Sequence, residues 1–231
     1  MTERFAELFL DHVATGWDRQ MLLSELLDEH EWKLDLESGR IAFSSGGTLC
    51  RKEWTFAVEV LGTESDTSET WRWSWANPGG IPDQLTLASR RLQALGTEQG
   101  IPELAEPVLA LCDVTGHELA LCATSLLGAD AYYRGPHGGG AVYVLIRDGA
   151  FPPPAVAPVV RLARHFPSLL ATFDLTDHRR ALRGFLRANG IPSVEREPRT
   201  LEVQTPGHVL VAAFDDANRL ADLVLRPGLA P

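Results

Sequence analysis

The sequence predicts an α+β fold: an N-terminal helix and further helices packed on an antiparallel sheet, followed by a small C-terminal α-α-β-β-β subdomain. Three observations predict it. Apolar residues near the start recur at helical spacing. From Trp32 to Trp75 the spacing changes to a period of two. Pro152-Pro153-Pro154 then separates this arrangement from a shorter series of helices and strands.

Phe5, Leu8, Phe9, His12 and Val13 fall at i, i+3, i+4, i+7 and i+8, one face of an amphipathic helix. The face resumes at Leu22, Leu23, Leu26 and Leu27, and Glu29-His30 ends the helix. Gly16 can bend or split it, since glycine costs about 1 kcal/mol against alanine in a helix interior. Trp32, Leu34 and Leu36 alternate with charged residues, Glu37-Ser38-Gly39 turns the chain, and Ile41 and Phe43 alternate again, which reads as a hairpin. Ser45-Gly46-Gly47 is a loop. Trp54, Phe56, Val58 and Val60 form a third strand, and GTESDTSE (62–69) reads as an exposed connection. Trp71, Trp73 and Trp75 alternate along the fourth strand, which Asn77-Pro78-Gly79-Gly80 ends, because proline lacks a ladder donor. Four strands on short connections point to an antiparallel meander.

Leu85, Leu87, Ala88, Leu92 and Leu95 form a helix with Gly96 as its C-cap. Residues 104–127 read as mostly helical with a break near Gly116, and 131–134 and 141–147 as two strands around GPHGGG. The proline run divides the chain into a domain over 1–150, a stiff connector over 151–158 and a subdomain over 159–231. In the last, 159–170 and 176–189 are helical, with Thr176 as N-cap and Gly190 as terminator. Segments 200–204, 208–214 and 219–225 are strands, the last two joined by Asp215-Asp216-Ala217-Asn218. So short a piece is marginal for an independent core and is expected to pack on the first.

Of the 231 residues, 45% are hydrophobic and 23% charged, an ordinary globular composition. The net charge of −10 is uneven: residues 1–150 carry 11 basic and 23 acidic side chains, residues 151–231 carry 10 and 8. An acidic N-terminal region argues against nucleic acid and is compatible with a basic protein partner. The start of the chain lacks a secretory h-region, no apolar run reaches the length of a membrane span, and Cys50, Cys112 and Cys122 form no C-x-x-C pair. The expectation is a cytoplasmic protein with no membrane contact and no disulfide framework.

The tryptophan stripe, which Trp32 and Trp54 can join from neighbouring strands, has two readings. It is either the buried face of the sheet or an indole-lined groove for a ligand or a partner's apolar side chains. On the second reading the ligand or partner surface comprises Trp71, Trp73, Trp75, Trp54, Asn77, Tyr133, Arg134 and His137. GPHGGG has neither the Lys-Ser/Thr ending nor the following helix of a phosphate loop and reads as a hairpin turn with His137 at its tip. His165, Asp174, Asp177 and His178 are the densest set of metal-ligand types, but their spacing suits no helical metal pair, and Asp177 suits a helix N-terminus. Cys112, His117 and Cys122, five apart, do not share one helical face. No G-x-S-x-G elbow is present. Arg179, Arg180, Arg183 and Arg187 form a basic stripe. It is either a solvated face or a contact for an acidic partner, such as the acidic N-terminal part of this chain or a second copy. No catalytic residue, metal or cofactor is assigned.

Five segments together resemble a family of uncharacterised bacterial proteins of unknown function. They are Glu31-Trp32 with Leu34-x-Leu36, GTESDTSETWRWSWANP, LASRRLQALGTEQGIPELAEP, LLGADAYYRGPHGGGAVYVLI and FDDANRL, with W-x-W-x-W-A-N-P the specific element. The resemblance implies a bacterial cytosolic α+β protein and carries no activity. The order of elements also looks like that of secretion-chaperone-like proteins, an analogy at fold level alone. The function expected is a non-enzymatic protein-binding module, chaperone-like or immunity-like, with another protein or a second copy of itself as partner. The alternative is a small-molecule binder or enzyme with a pocket beside the stripe, using Tyr132, Tyr133, Arg134 and His137.

Overall fold

A computed structural model of the chain describes residues 1–27, 29–45, 52–77 and 79–228. The fold is α+β. It divides into two compact units, Met1–Ala6 with Arg19–Pro152 and Glu7–Asp18 with Pro153–Pro231. Helix α1 (Glu3–Leu26) contributes residues to both and runs unbroken through Gly16. Gly16 is buried with Val13 and Ala14, so packing outweighs the helix-propensity cost. Thr2 caps α1, its Oγ1 accepting the Phe5 N–H. Gly46, Gly47, Cys50 and Pro78 lie outside the described residues.

In the first unit the described residues form a seven-stranded antiparallel sheet. Its strands are β1 (His30–Asp35), β2 (Arg40–Ser45), β3 (Lys52–Ser65), β4 (Thr70–Trp73), β5 (Val108–Ala110), β6 (Ala131–His137) and β7 (Gly140–Ile146). Strands β1 to β5 follow one another, the first four as the expected meander, and the β6–β7 hairpin joins through β7 to β3. Strand β3 is longer than its apolar alternation suggests. Gly62–Ser65, read above as part of a connection, pair with both β4 and β7. Leu23, Ile41, Phe43, Phe56, Val58, Val144 and Ile146 form the core behind this sheet.

Several local expectations are corrected. Helix α2 (Leu87–Gln99) passes through Gly96 and ends at Gly100, which holds the left-handed conformation with φ 64°. Gly96 is buried in α2, where a Cβ would meet Leu104 at 2.6 Å. Its lack of a side chain serves close packing rather than chain reversal. Residues 104–127 are not one helical stretch: α3 (Pro102–Ala105) gives way to β5, and α4 (Gly116–Leu126) follows behind a Thr115–Glu118 capping box. Strand β5 is only three residues long, too short to show a period. Strand β6 continues to His137, so the turn shrinks to Gly138-Gly139.

The second unit combines Glu7–Asp18 of α1 with α5 (Pro158–Thr172), α6 (His178–Ala188) and a four-stranded antiparallel sheet. Its strands are β8 (Val194–Glu197), β9 (Thr200–Thr205), β10 (His208–Phe214) and β11 (Leu220–Pro227). Strand β8 was not expected: its sequence, VERE, is exposed throughout and lies at the sheet edge, so no apolar alternation marks it. Asp177, not Thr176, caps α6, accepting the Arg180 N–H at 2.7 Å. Phe166, Leu169, Leu182, Phe185, Val203 and Leu210 are buried in this unit. Asp18 is buried against Arg161 and His165, at 2.8 and 3.0 Å. Among the described residues no helix is long and apolar enough to cross a membrane.

Candidate functional site

Trp71 and Trp73 are fully buried, which corrects their place in a ligand or partner surface. Strand β4 is interior, paired with β3 and β5; its two indoles pack against each other at a centroid distance of 5.3 Å, and Trp71 meets Tyr143 at 5.1 Å. The Trp73 Nε1 donates to the Glu103 carbonyl at 3.1 Å. Trp75 does not share their strand. The Ser74 hydroxyl donates to the Val60 carbonyl at 2.6 Å, and Ser74–Ala76 turn into a 3-10 helix. Asn77 shapes the turn that follows, its Oδ1 accepting the Gly79 N–H at 2.8 Å. His137 is exposed at the end of β6, 3.3 Å from the Gly138 carbonyl.

Trp54 and Tyr133 lie instead in an aromatic layer beneath the first hairpin. The register aligns Trp32 with Phe43 and Phe43 with Trp54, so alternation puts the three on one face. Trp54 stacks on Phe56 at 6.1 Å, Tyr133 meets Phe43 edge-on at 4.8 Å, and its hydroxyl is 3.1 Å from His30 Nε2. The sheet curls enough to bring Trp32 of β1 within 5.7 Å of Tyr133 of β6.

The opposite face of the same three strands forms a trough. Two cross-strand rows compose it, Lys33–Ala42–Thr55 and Glu31–Ser44–Glu53. The middle strand carries the small side chains Ala42 and Ser44, and the strands either side carry larger ones, so the surface dips along β2. The resulting cavity has a volume of about 310 Å³ and is lined by residues 31–33, 42–44, 53 and 55. Glu31, Glu53 and Lys33 give its rim an excess of negative charge. Among the described residues β1 pairs only with β2, so the trough lies beside a sheet edge.

Arg134 belongs to a second arrangement. Glu64 accepts from the Tyr143 hydroxyl at 2.7 Å and from Arg134 Nε at 3.1 Å, while His117 Nδ1 is 2.7 Å from the Tyr132 hydroxyl. Tyr132 and Tyr143 stack at 6.1 Å. Burial raises both phenols above the ordinary tyrosine range, and the Glu64 carboxylate adds to the effect. Enclosure of the inner side of His117 lowers its imidazole, which therefore stays neutral at pH 7, although part of the ring is exposed. Burial raises the Cys122 thiol, leaving it inert. The cluster thus offers fixed hydrogen-bonding groups. Glu64, His117 and Tyr143 were not expected here. Glu64 lay within an apparent connection, and only the β6–β7 register places Arg134 opposite Tyr143.

The remaining residues weighed above have separate local roles. Asp174 lies 3.9 Å from Arg219, and His178 Nδ1 accepts the Leu220 N–H at 2.9 Å. Among the described residues no three His, Cys, Asp or Glu side chains converge in a way that could hold a metal ion.

The family model described as a family of unknown function (DUF6882) matches residues 6–149, more than half of the chain. No curated protein and no solved structure matches it. The match includes both arrangements of the first unit and leaves out FDDANRL.

Proposed function

We propose, from the premise that the chain belongs to the DUF6882 family of unknown function, that it is a protein-binding module whose contact is the trough along β2. The trough supports this reading: small residues line its floor, the rim is acidic, and the cavity opens beside an edge strand. An extended segment added beside the edge strand β1 would gain main-chain bonds there, and its side chains on the trough's face would reach into the trough. The rim and the acidic first 150 residues favour a basic segment, from another protein or from a second copy of the chain. Trp32, Phe43 and Trp54 occupy the other face of the strands that carry the trough.

The test is native mass spectrometry of protein purified gently from its own host, wild type beside Ala42→Trp. Ala42 is half-buried, and the substitution fills the trough from its floor. Loss of the bound partner, or of a homodimer mass, from a variant with unchanged circular dichroism supports the reading. A variant that keeps every partner refutes it.

A second reading is favoured by Arg134 and the exposed part of His117, which present hydrogen-bonding groups around Glu64 beside Trp71. A small polar ligand would bind there. A small-molecule adduct abolished by Arg134→Met and unaffected by Ala42→Trp would move the function to that site.

A further inference from the structure

The second unit holds a cavity of about 550 Å³ lined by Arg179, Arg180, Arg183 and Arg187 of α6 together with the carboxylates of Asp11, Asp177 and Glu195. Two guanidiniums are committed. Arg180 presents Nε and Nη2 to Asp11 at 3.1 and 2.8 Å, and its Nη1 lies 3.7 Å from Glu7. Arg179 meets Glu195 at 2.7 Å, donates to the Pro198 carbonyl at 3.2 Å and lies over the Phe214 ring. The other two are not. Among the described residues Arg183 makes one hydrogen bond, to the already shared Glu195, at 3.0 Å. Arg187 approaches Asp11 only to 3.8 Å, beyond hydrogen-bond range. Arg183 and Arg187 are one turn apart on one face of α6, and their side chains are 51% and 69% exposed. Among the described residues the buried Nε of Arg179 also has no acceptor.

A guanidinium has five donors in a planar fork that matches phosphate and carboxylate oxygens. Four such forks line a concavity of ligand size with three carboxylates, of which Asp177 is taken up by the Arg180 N–H and the Asn218 amide. Two open guanidiniums one turn apart suit a molecule with two anionic groups. A singly charged ion would engage one of them and would compete poorly with Asp11 and Glu195.

We propose that this cavity binds a small polyanion carrying at least two phosphate or carboxylate groups. Arg183 and Arg187 are its direct contacts, and Arg179 and Arg180 supply positive potential around it. The site is independent of the trough in the first unit.

Isothermal titration of the full chain with pyrophosphate and with citrate, in physiological salt, tests the proposal. Saturable binding of either one is expected, at least tenfold weaker in Arg183→Met and in Arg187→Met. Binding of pyrophosphate alone, or of citrate alone, identifies the anionic group. Glu195→Gln removes a competing carboxylate and is expected to tighten binding severalfold. If either methionine variant fails to fold, Arg187→Lys keeps the charge, loses the fork and is expected to weaken binding severalfold. The proposal is overturned if neither anion saturates, if the arginine variants bind as wild type does, or if Glu195→Gln weakens binding.

Discussion

Tyr143 and Glu64 are 79 residues apart in the chain, yet the phenol donates to the carboxylate at 2.7 Å. With burial, this raises the Tyr143 phenol. Tyr132 and Tyr133 are raised by burial as well, so all three tyrosines of the chain share the shift.

The tyrosines predict an alkaline limit to stability. A phenol raised in the folded state favours folding completely below its ordinary value of about 10 and loses that advantage as the pH climbs toward the raised values. Absorbance at 295 nm should show Tyr132 and Tyr143 still un-ionised in the native protein at about pH 10. Ionisation should then come together with unfolding followed by circular dichroism. Independent ionisation of Tyr132 or Tyr143 in folded protein would contradict the buried cluster.

Trp73→Ala removes a fully buried indole and leaves the Glu103 carbonyl without its donor. The expected loss is about 3–5 kcal/mol of stability by urea unfolding. A change under about 1 kcal/mol would mean that the site collapses around the smaller side chain.

Asp18 predicts an acid limit. Burial pushes its carboxyl up, but hydrogen bonds from His165 and Arg161 outweigh this and hold it below the usual range. A depressed carboxyl stabilises the fold above its ordinary value of about 4, and that contribution is lost as the pH falls through the folded-state value. Asp18→Asn leaves Arg161 buried without its counter-charge, and about 3–5 kcal/mol should be lost at pH 7. The fall in stability between about pH 5 and pH 2 should be shallower in the variant than in wild type. Parallel curves would show that another carboxylate governs acid unfolding.

Gly184→Ala tests the packing of α6 on the Glu7–Asp18 segment. A Cβ at Gly184 would collide with the Asp11 backbone, which no side-chain rotation relieves. A loss of about 1–3 kcal/mol is expected. A neutral substitution would mean that the two helical segments separate at little cost.

Much of the fold was legible where the chain repeats a local period. The α1 face from Phe5 to Val13, the Trp32–Phe43 hairpin and the strand from Trp54 to Val60 all signal themselves within a few residues. Strands β5 and β8 did not, because one is too short to show a period and the other is a polar edge. Trp75 carried the period of two but lies in the 3-10 helix that begins at Ser74, whose hydroxyl donates to the Val60 carbonyl. The candidate sites were less legible. Ala42 and Ser44 are unremarkable in sequence and become a trough floor only between larger neighbours on β1 and β3. Of the arginine stripe, the sequence showed four charges on α6, and the structure showed that Asp11 and Glu195 satisfy two of them more fully than the others.

The sequence by itself determined the α+β class, the run of strands after the first helix, and the residue types available for a site. Tertiary structure alone decided that Trp71 and Trp73 are core, that Glu64 meets Tyr143 and Arg134, and that a trough lies along β2. Periodicity is written into neighbouring residues, because it follows from the helical and strand repeats. Burial, register and cavities depend on which distant segments pair, and that is settled only when the whole chain competes for the same core.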